Sequence, residues 1–296
     1  MPEISITLET STGSIRGSLN LPPATRKTPV VLIIAGSGPT DRDGNLASLP
    51  TPNNCLKMLT EALAASGFPS VRYDKRGVGE SVKTTEANLR FECYVEDAIA
   101  WVNMLKSDSR FSGVVIIGHS EGSLIGILAS RAASAIAFVS LAGPAERASS
   151  LLRKQLAGKL SEDLEKRSEA ILSALERAEL IVNVPVDLDI LYRKSVQPYL
   201  ISWFKYVPTD ELSRLTIPTL IIQGDTDIQV DVSQALALKA AKTDAELVVI
   251  HGMNHVCKLV GPNYEEQQNS YGDPSLPVAT LLIKKLTRFL DRIVKI

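Results

Sequence analysis

Ser120 stands at the centre of the segment Gly118–Gly122, whose sequence GHSEG has the pattern G-x-S-x-G. The β-branched run Val114–Ile117 precedes it and an apolar segment with helical spacing follows it, so a strand, a sharp turn and a helix are predicted. Glycine two residues before and after the serine avoids collisions between this strained turn and its neighbours. The turn lifts Ser120 off the sheet at the positive end of a helix, where a developing negative charge is favoured. We therefore predict that Ser120 is a nucleophile.

A serine nucleophile needs a base to take its proton, and the chain has three histidines. His119 is adjacent to Ser120, on a turn that is expected to direct its side chain elsewhere. His251 continues directly from a predicted strand, whereas His255 lies four residues further on, in a turn that can reach back across the strand ends. We therefore favour His255 as the base and assign His251 to packing or to tethering the loop.

An acid that orients the base is expected on the loop after the preceding strand, where Asp225, Asp227 and Asp231 all lie. Asp227 is favoured because its spacing from the strand end lets the chain clear the sheet before it turns inward. Asp225 is then a candidate to cap the turn and Asp231 to cap the next helix. The residues then follow one another along the chain as nucleophile (Ser120), acid (Asp227) and base (His255), and this order is diagnostic of one class of serine catalytic triad.

The elements that must position these residues alternate between strand and helix from Pro29 onward, which predicts a mostly parallel sheet with helices on both faces. An N-terminal hairpin is predicted at the sheet edge. The predicted strands besides the one before Ser120 are Ile4–Thr10, Ser14–Pro22, Pro29–Ala35, Pro69–Asp74, Ala135–Ala142, Pro218–Gln223 and Glu246–Ile250. Ligands bind such sheets at the carboxyl ends of the strands, where Ser120 is expected.

A glycine-bearing loop, Ala35–Pro39, follows the strand that should neighbour the nucleophile strand. Backbone N–H groups aimed at a substrate are expected at this position. Asp41, Arg42 and Asp43 follow in the same loop. These charges could brace the loop or meet a polar substrate, and bracing is the favoured interpretation.

The alternation stops after Gly143-Pro144 for about seventy residues, which is too long for a loop in one domain. Leucine and isoleucine at helical spacing predict one or two long amphipathic helices here. A cluster of five aromatic residues, called the aromatic group below, follows these helices. It either packs the helices against the main domain, which is the favoured interpretation, or lines an acyl pocket under a lid. Its members are Tyr192, Tyr199, Trp203, Phe204 and Tyr206.

The overall composition favours a small-molecule partner, since the 296 residues carry a formal net charge of -1. No nucleic-acid or membrane partner is expected. The segment Met1–Thr10 lacks the features of a signal peptide, and a cytoplasmic protein is expected. The widely spaced Cys55, Cys93 and Cys257 fit reduced thiols better than disulfides or a metal site. We expect no cofactor and no metal, and a monomer or homodimer.

These motifs together resemble the α/β-hydrolase superfamily, and within it the cap-bearing serine hydrolases of the carboxylesterase and serine-aminopeptidase-like group. The segments that carry the resemblance are Ala35–Pro39, Arg72–Ser81, Gly118–Gly122, Gly224–Asp227 and Gly252–His255. The resemblance implies an eight-stranded, mostly parallel sheet with an inserted helical cap. We accordingly predict a catalytic domain at residues 1–144 and 209–296 and a cap at residues 145–208.

The resemblance also implies roles for individual residues. It assigns Ser120, Asp227 and His255 to a catalytic triad, and the backbone N–H groups of Ser37 and Glu121 to an oxyanion hole. Asp74, Arg76 and Gly77 would shape the loop behind the site without doing chemistry. The chain departs from the pattern at Ala35, where many relatives have histidine.

The expected activity is cleavage of carboxylic esters of short to medium acyl chains through an acyl-serine intermediate, with a small ester as substrate. An aminopeptidase would need an acidic anchor, for which Glu162 and Asp163 are candidates. An acyl-coenzyme A thioesterase would need a basic patch, for which the candidates are Arg153, Lys154, Lys159, Lys166 and Arg167. A non-catalytic ligand-binding module on the same fold is the alternative outside enzymes.

Overall fold

Eight strands form one sheet in the computed structural model, which describes residues 3–23, 27–47, 49 and 51–295. The outermost residues of the predicted catalytic domain, 1–2 and 296, lie outside the described residues. The strands are β1 (Glu3–Thr10), β2 (Gly13–Asn20), β3 (Val30–Ile34), β4 (Ser70–Tyr73), β5 (Val114–His119), β6 (Ala137–Leu141), β7 (Thr219–Gly224) and β8 (Glu246–Ile250). They lie in the order β1-β2-β4-β3-β5-β6-β7-β8, and only the pairs β1–β2 and β2–β4 are antiparallel.

Strands β3 and β5 are buried along their whole lengths in the middle of the sheet. They pair in parallel, from Val30 opposite Val114 to Ile34 opposite Gly118. Because helices cover both faces, each strand has a continuous apolar sequence instead of an alternating one. The register also brings the loop after Ile34 out of the sheet beside Ser120.

The helices, in chain order, are α1 (Cys55–Ala65), α2 (Phe91–Ser107), α3 (Glu121–Ala133), α4 (Ala148–Leu156), α5 (Glu162–Glu176), α6 (Val186–Tyr192), α7 (Gln197–Trp203), α8 (Pro208–Ser213), α9 (Val232–Ala241), α10 (Tyr264–Ser270) and α11 (Thr280–Ile293). Helices α1 and α11 pack on one face of the sheet, and α2, α3 and α9 pack on the other. The predicted arrangement of a mostly parallel sheet with helices on both faces is thus confirmed.

The insertion between β6 and β7 contains the five helices α4–α8 and resembles a cap. Two of these helices, α4 and α5, carry the leucine and isoleucine pattern, which agrees with the expectation of one or two helices there, although α4 has only 9 residues. Gly158 adopts φ +70° just after α4, and proline occupies the first turn of α7 and of α8. A short helix, α10, lies in the polar segment between β8 and α11.

The aromatic group at the end of the insertion packs against α2. Trp203 stacks on Phe91 with a ring-centroid distance of 6.1 Å, and Tyr199 meets Tyr94 edge to face at 5.7 Å. The backbone N–H of Phe91 also donates a hydrogen bond to Ser202 Oγ at 2.7 Å. These contacts support the interpretation that the aromatic group pins the inserted helices to the main domain.

No helix within the described ranges has the length and apolar character that crossing a membrane requires.

The Phe91→Ala variant should lose about 3–5 kcal/mol of unfolding free energy, because it removes a fully buried ring between α2 and the insertion. The matched change Met104→Ala, on a partly exposed position of the same helix, should lose less than ~1 kcal/mol. Urea unfolding followed by circular dichroism measures both. Equal losses in the two variants would show that this interface contributes little.

Candidate active site

The turn at Ser120 has the strained geometry that its sequence predicted, with φ 54° and ψ -123° between β5 and α3. A Cβ on Gly118 would lie 2.1 Å from the carbonyl oxygen of Gly122, and a Cβ on Gly122 would lie 2.3 Å from that of Ile34. Both positions therefore require glycine. The N–H of Ser120 donates to the carbonyl of Leu141 at 2.9 Å, which fixes the turn to β6.

Asp227 and His255 meet at the same end of the sheet as Ser120. His255 Nδ1 and Asp227 Oδ2 are 2.8 Å apart, and both side chains are buried. The carboxylate also accepts hydrogen bonds from Gln223 Nε2 and from the backbone N–H groups of Gln229 and Val230. Burial would raise the pKa of Asp227, but the charge of His255 and these hydrogen bonds outweigh it, so the pKa lies below its ordinary value. Asp227 is therefore an ionised acceptor of the hydrogen bond from Nδ1 of His255, and Nε2 is the ring nitrogen that does not face the carboxylate.

His251, Asp225 and Asp231 make the loop-tethering and capping contacts that the sequence suggested for them. The side chain of His251 is 97% exposed, and its Nδ1 lies 2.7 Å from Asp225 Oδ2. Asp225 also accepts a hydrogen bond from the backbone N–H of Gly252, so this pair ties together the loops after β7 and β8. Asp231 caps α9 by accepting from the N–H of Ser233 at 2.7 Å.

His119 lies beside His255, which differs from the expectation that its side chain points elsewhere. The two rings are 4.9 Å apart, and His119 Nε2 is 2.8 Å from the backbone carbonyl oxygen of His255. Because a carbonyl only accepts, His119 donates from Nε2 and holds the loop that carries His255. Burial, together with the neighbouring His255, lowers the pKa of His119 to about 4. Its position at the end of β5, among the strand ends, is the sequence signal that could have revealed this contact.

The backbone at the two predicted oxyanion positions lies against Ser120. Glu121 is the first residue of α3, immediately after Ser120. Ser37 follows Gly36, where an added Cβ would approach Ser120 Cβ to 3.2 Å. The loop backbone and the helix start therefore flank the serine, as expected for groups that face a shared substrate atom.

Charged residues of the loop after β3 brace that loop within the protein. Asp41 Oδ1 accepts from the N–H of Asp43 at 2.9 Å, and Asp43 Oδ1 lies 2.7 Å from Arg72 Nε. The N–H of Arg42 donates to Asp74 Oδ1 at 2.8 Å, and its guanidinium lies 3.2 Å from the same carboxylate. These contacts support bracing over contact with a polar substrate.

The loop after β4 is held by similar contacts behind the site. Arg76 pairs with the buried Asp97 at 2.6 Å, and Asp74 Oδ2 accepts from the N–H of Glu80 at 3.0 Å. Gly77 adopts φ 82° in the turn between them. The described geometry fits the predicted role of Asp74, Arg76 and Gly77 in shaping this loop.

A buried ion pair behind Ser120 was missed from the sequence. Lys75 Nζ lies 3.1 Å from Glu121 Oε2, and each side chain is 1% exposed. The two residues are 46 positions apart, so neither local sequence carries a signal for the pair.

A cavity of about 470 Å³ opens between the loop after β3, helix α4, the Asp227 loop and the region of α10. Its walls combine apolar, amide and tyrosine side chains. They are Leu46, Leu49, Thr51, Gln155, Lys159, Ile228, Gln229, Tyr264, Gln268, Asn269, Tyr271 and Gly272. Across the residues with a described position, no group of three or more His, Cys, Asp or Glu side chains is arranged to hold a metal ion.

The sheet order, the strained serine turn and the helical insertion define an α/β-hydrolase fold. The model of the Hydrolase_4 family, described as serine aminopeptidase, S33, matches residues 53–197.

The chain also resembles one curated protein in sequence. The esterase EstD of Thermotoga maritima is 28% identical over 258 residues, which cover 86% of this chain and 61% of EstD. The chain thus spans less than two thirds of the length of that relative.

Among solved structures, Est1E of Butyrivibrio proteoclasticus with bound ferulic acid has a TM-score of 0.66 at 19% identity, covering 98% of this chain and 100% of Est1E. A proline iminopeptidase of Mycobacterium smegmatis has a TM-score of 0.61 at 15% identity, covering 99% of each chain. At these identities the likeness shows the fold alone.

The low pKa of His119 predicts a pH-dependent loss of stability. Between about pH 6.5 and about 4 the unfolded chain binds a proton at His119 that the folded protein does not bind. The free energy of unfolding therefore falls as pH drops through this window, by up to roughly 3 kcal/mol.

The His119→Gln variant keeps an amide donor for the His255 carbonyl but cannot titrate, so it should lose less stability between pH 7 and 4.5 than the wild type. Urea unfolding of both proteins at several pH values measures the difference. A difference in unfolding free energy that is independent of pH would contradict this account.

Proposed function

We propose that the chain is a serine hydrolase that cleaves carboxylic esters of short to medium acyl chains through an acyl-Ser120 intermediate. The observation that carries the proposal is the buried Asp227–His255 hydrogen bond at the sheet end where Ser120 occupies its strained turn. This combination supplies a nucleophile, a base and an orienting acid in the arrangement that acyl transfer needs.

In the proposed mechanism, Ser120 Oγ attacks the ester carbonyl while His255 Nε2 takes the hydroxyl proton. The N–H groups of Ser37 and Glu121 stabilise the oxyanion of the tetrahedral intermediate. His255 then gives the proton to the leaving alcohol as the acyl-enzyme forms. Water attacks the acyl-enzyme by the same route, which releases the acid and restores Ser120. Asp227 remains ionised and stabilises the imidazolium in both steps.

We assign substrate binding to the region between the catalytic domain, residues 1–144 and 209–296, and a cap formed by residues 145–208. The cavity of about 470 Å³ opens in this region beside the Asp227 loop, and neither Ser120 nor His255 lines it. The similarity to EstD, and to the fold of Est1E in complex with ferulic acid, favours an ester as the substrate class.

An aminopeptidase is the second candidate because the matching family model is described as serine aminopeptidase. The acidic residues considered as anchors for a substrate amine do not favour it. Glu162 pairs with Lys166 and Asp163 with Arg167, each on the exposed surface of α5. These carboxylates therefore contact neighbours on their own helix and do not form an anchor at the site.

A thioesterase for coenzyme A esters is disfavoured in the same way. Four of the five basic residues considered for its patch form ion pairs within the insertion, and the fifth, Lys159, lines the cavity of about 470 Å³. These pairs are Arg153 with Glu169 and Glu176, Lys154 with Glu146, Lys166 with Glu162, and Arg167 with Asp163. The pairing leaves little net positive charge for a nucleotide phosphate.

A ligand-binding module without catalysis would not need the strained serine backbone or the buried ionised acid. A strained φ/ψ costs folding free energy and is typically kept where function needs it. The strained turn at Ser120 therefore favours catalysis.

The Ser120→Ala variant should show no detectable turnover of p-nitrophenyl esters. Asp227→Asn should lower kcat by about 10⁴-fold. The second Asp–His pair offers matched controls: Asp225→Asn and His251→Ala alter an exposed pair on the same two loops and should stay within twofold of wild type. His255→Ala, in contrast, should be nearly inactive.

A series of p-nitrophenyl esters of increasing acyl length, amino-acid anilides and coenzyme A thioesters then compares the three enzyme alternatives. Turnover that persists in Ser120→Ala, or losses in the Asp225 and His251 variants as large as those in the Asp227 and His255 variants, would refute the assignment. A preference for anilides would favour the aminopeptidase.

A further inference from the structure

A chain of buried polar contacts runs from the insertion to the backbone beside Ser120. Lys75 Nζ donates to the carbonyl oxygen of Gly36 and lies 3.1 Å from Glu121 Oε2. The ammonium group also lies 4.8 Å from the centre of the Tyr94 ring. Because Lys75 and Glu121 are each 1% exposed, protein groups replace water around both charges.

Helix α7 of the insertion also takes part in this series of buried polar contacts. The hydroxyl of the buried Tyr199 donates to Glu121 Oε1, the second oxygen of the same carboxylate. Burial and the adjacent Glu121 charge raise the pKa of Tyr199 well above its usual range. The hydroxyl thus keeps its proton and acts as the donor.

This arrangement acts on both backbone groups assigned to the oxyanion hole. The carbonyl of Gly36 and the N–H of Ser37 belong to one planar trans peptide, so holding the oxygen fixes the direction of the N–H. A cation on the carbonyl oxygen also polarises the peptide and strengthens its N–H as a donor. The second N–H belongs to Glu121 itself, whose side chain is held by Lys75 and Tyr199.

We propose that Lys75, Glu121 and Tyr199 form a positioning network that orients the two oxyanion N–H groups and makes their alignment depend on the seating of the insertion. The proposal rests on the function proposed above. These side chains act through the backbone of Ser37 and Glu121 and do not touch the substrate.

The charge balance of the network supports this role. A lone carboxylate at Glu121 would oppose negative charge developing on the substrate oxygen nearby, whereas Lys75 neutralises it. Loss of a purely structural ion pair would lower folding stability. It would not weaken the binding of a tetrahedral analogue more than the binding of the substrate.

The test compares Lys75→Met and Tyr199→Phe with the matched control Tyr206→Phe. Tyr206 lies in the same aromatic group, but its hydroxyl donates to Glu92 at 3.2 Å, outside the network. The measurements are kcat and KM for a p-nitrophenyl ester, the inhibition constant of a trifluoromethyl ketone, and the rate at which a fluorophosphonate labels Ser120. Circular dichroism checks that each variant is folded.

Lys75→Met should lower kcat on the order of 10²-fold, because removing one oxyanion donor has an effect of this size. Tyr199→Phe should lower kcat roughly tenfold, since it deletes one hydrogen bond to a charged group. KM should change little, and the affinity for the ketone should weaken in parallel with kcat/KM. Lys75→Arg should restore part of the loss, and Tyr206→Phe should behave as wild type.

Folded Lys75→Met and Tyr199→Phe proteins with wild-type kcat, ketone affinity and labelling rate would overturn the network. A rise in KM alone, with kcat unchanged, would also overturn it. If Lys75→Met does not fold, Tyr199→Phe decides, because it keeps the ring and removes only the hydroxyl.

Failure of the proposed function gives a different result. A wild-type protein that cleaves no ester, and whose Ser120 is not labelled, refutes both proposals. A wild-type protein that is labelled but cleaves none of the esters keeps the nucleophile assignment, and the labelling rates of the variants then decide the network.

Discussion

The left-handed backbone at Ser120 is the constraint on which the arrangement of the site depends. Such a conformation in a residue with a side chain persists only when its surroundings force it. Here Gly118 and Gly122 let β5, α3 and the end of β3 approach one another so closely that no side chain fits between them. The same close approach brings the loop after β3 against Ser120 Cβ. The strained turn and the position of the loop after β3 therefore depend on one another.

The loop that carries His255 is fixed from several directions. His119 holds its carbonyl from β5, and Asp227 holds the imidazole from the loop after β7. On the far side, Asn254 Nδ2 donates to Ser270 Oγ of α10 at 2.7 Å, and buried Lys258 donates to the carbonyl of Asp273. His255 is thus held by the sheet and by the segment after β8, which restricts the orientations available to its ring.

The parts of the fold that could be predicted from sequence are those set by local rules. The apolar runs of β3 and β5, the glycines around Ser120 and the spacing of Asp227 after β7 each have a short-range steric or hydrogen-bonding cause. The contact between His119 and His255 joins residues 136 positions apart, so no local rule gives it, and only the place of His119 at the end of β5 points to it. The Lys75–Glu121–Tyr199 contacts depend in the same way on how α7 packs against α2. The short helices α6–α8 were not predicted either, because the leucine pattern ends at Leu175, before they begin.

Tyr199 also has a consequence for how such a protein could change over time. Insertions on a shared scaffold are often pictured as exchangeable parts that set substrate choice while the chemistry beneath stays constant. Here the insertion supplies a hydroxyl to a carboxylate in the interior of the scaffold, so replacing the insertion alone would leave one oxygen of Glu121 without its donor. A new insertion would have to bring a donor to the same point, or residues 75 and 121 would have to change with it. The insertion and the scaffold are therefore expected to vary together.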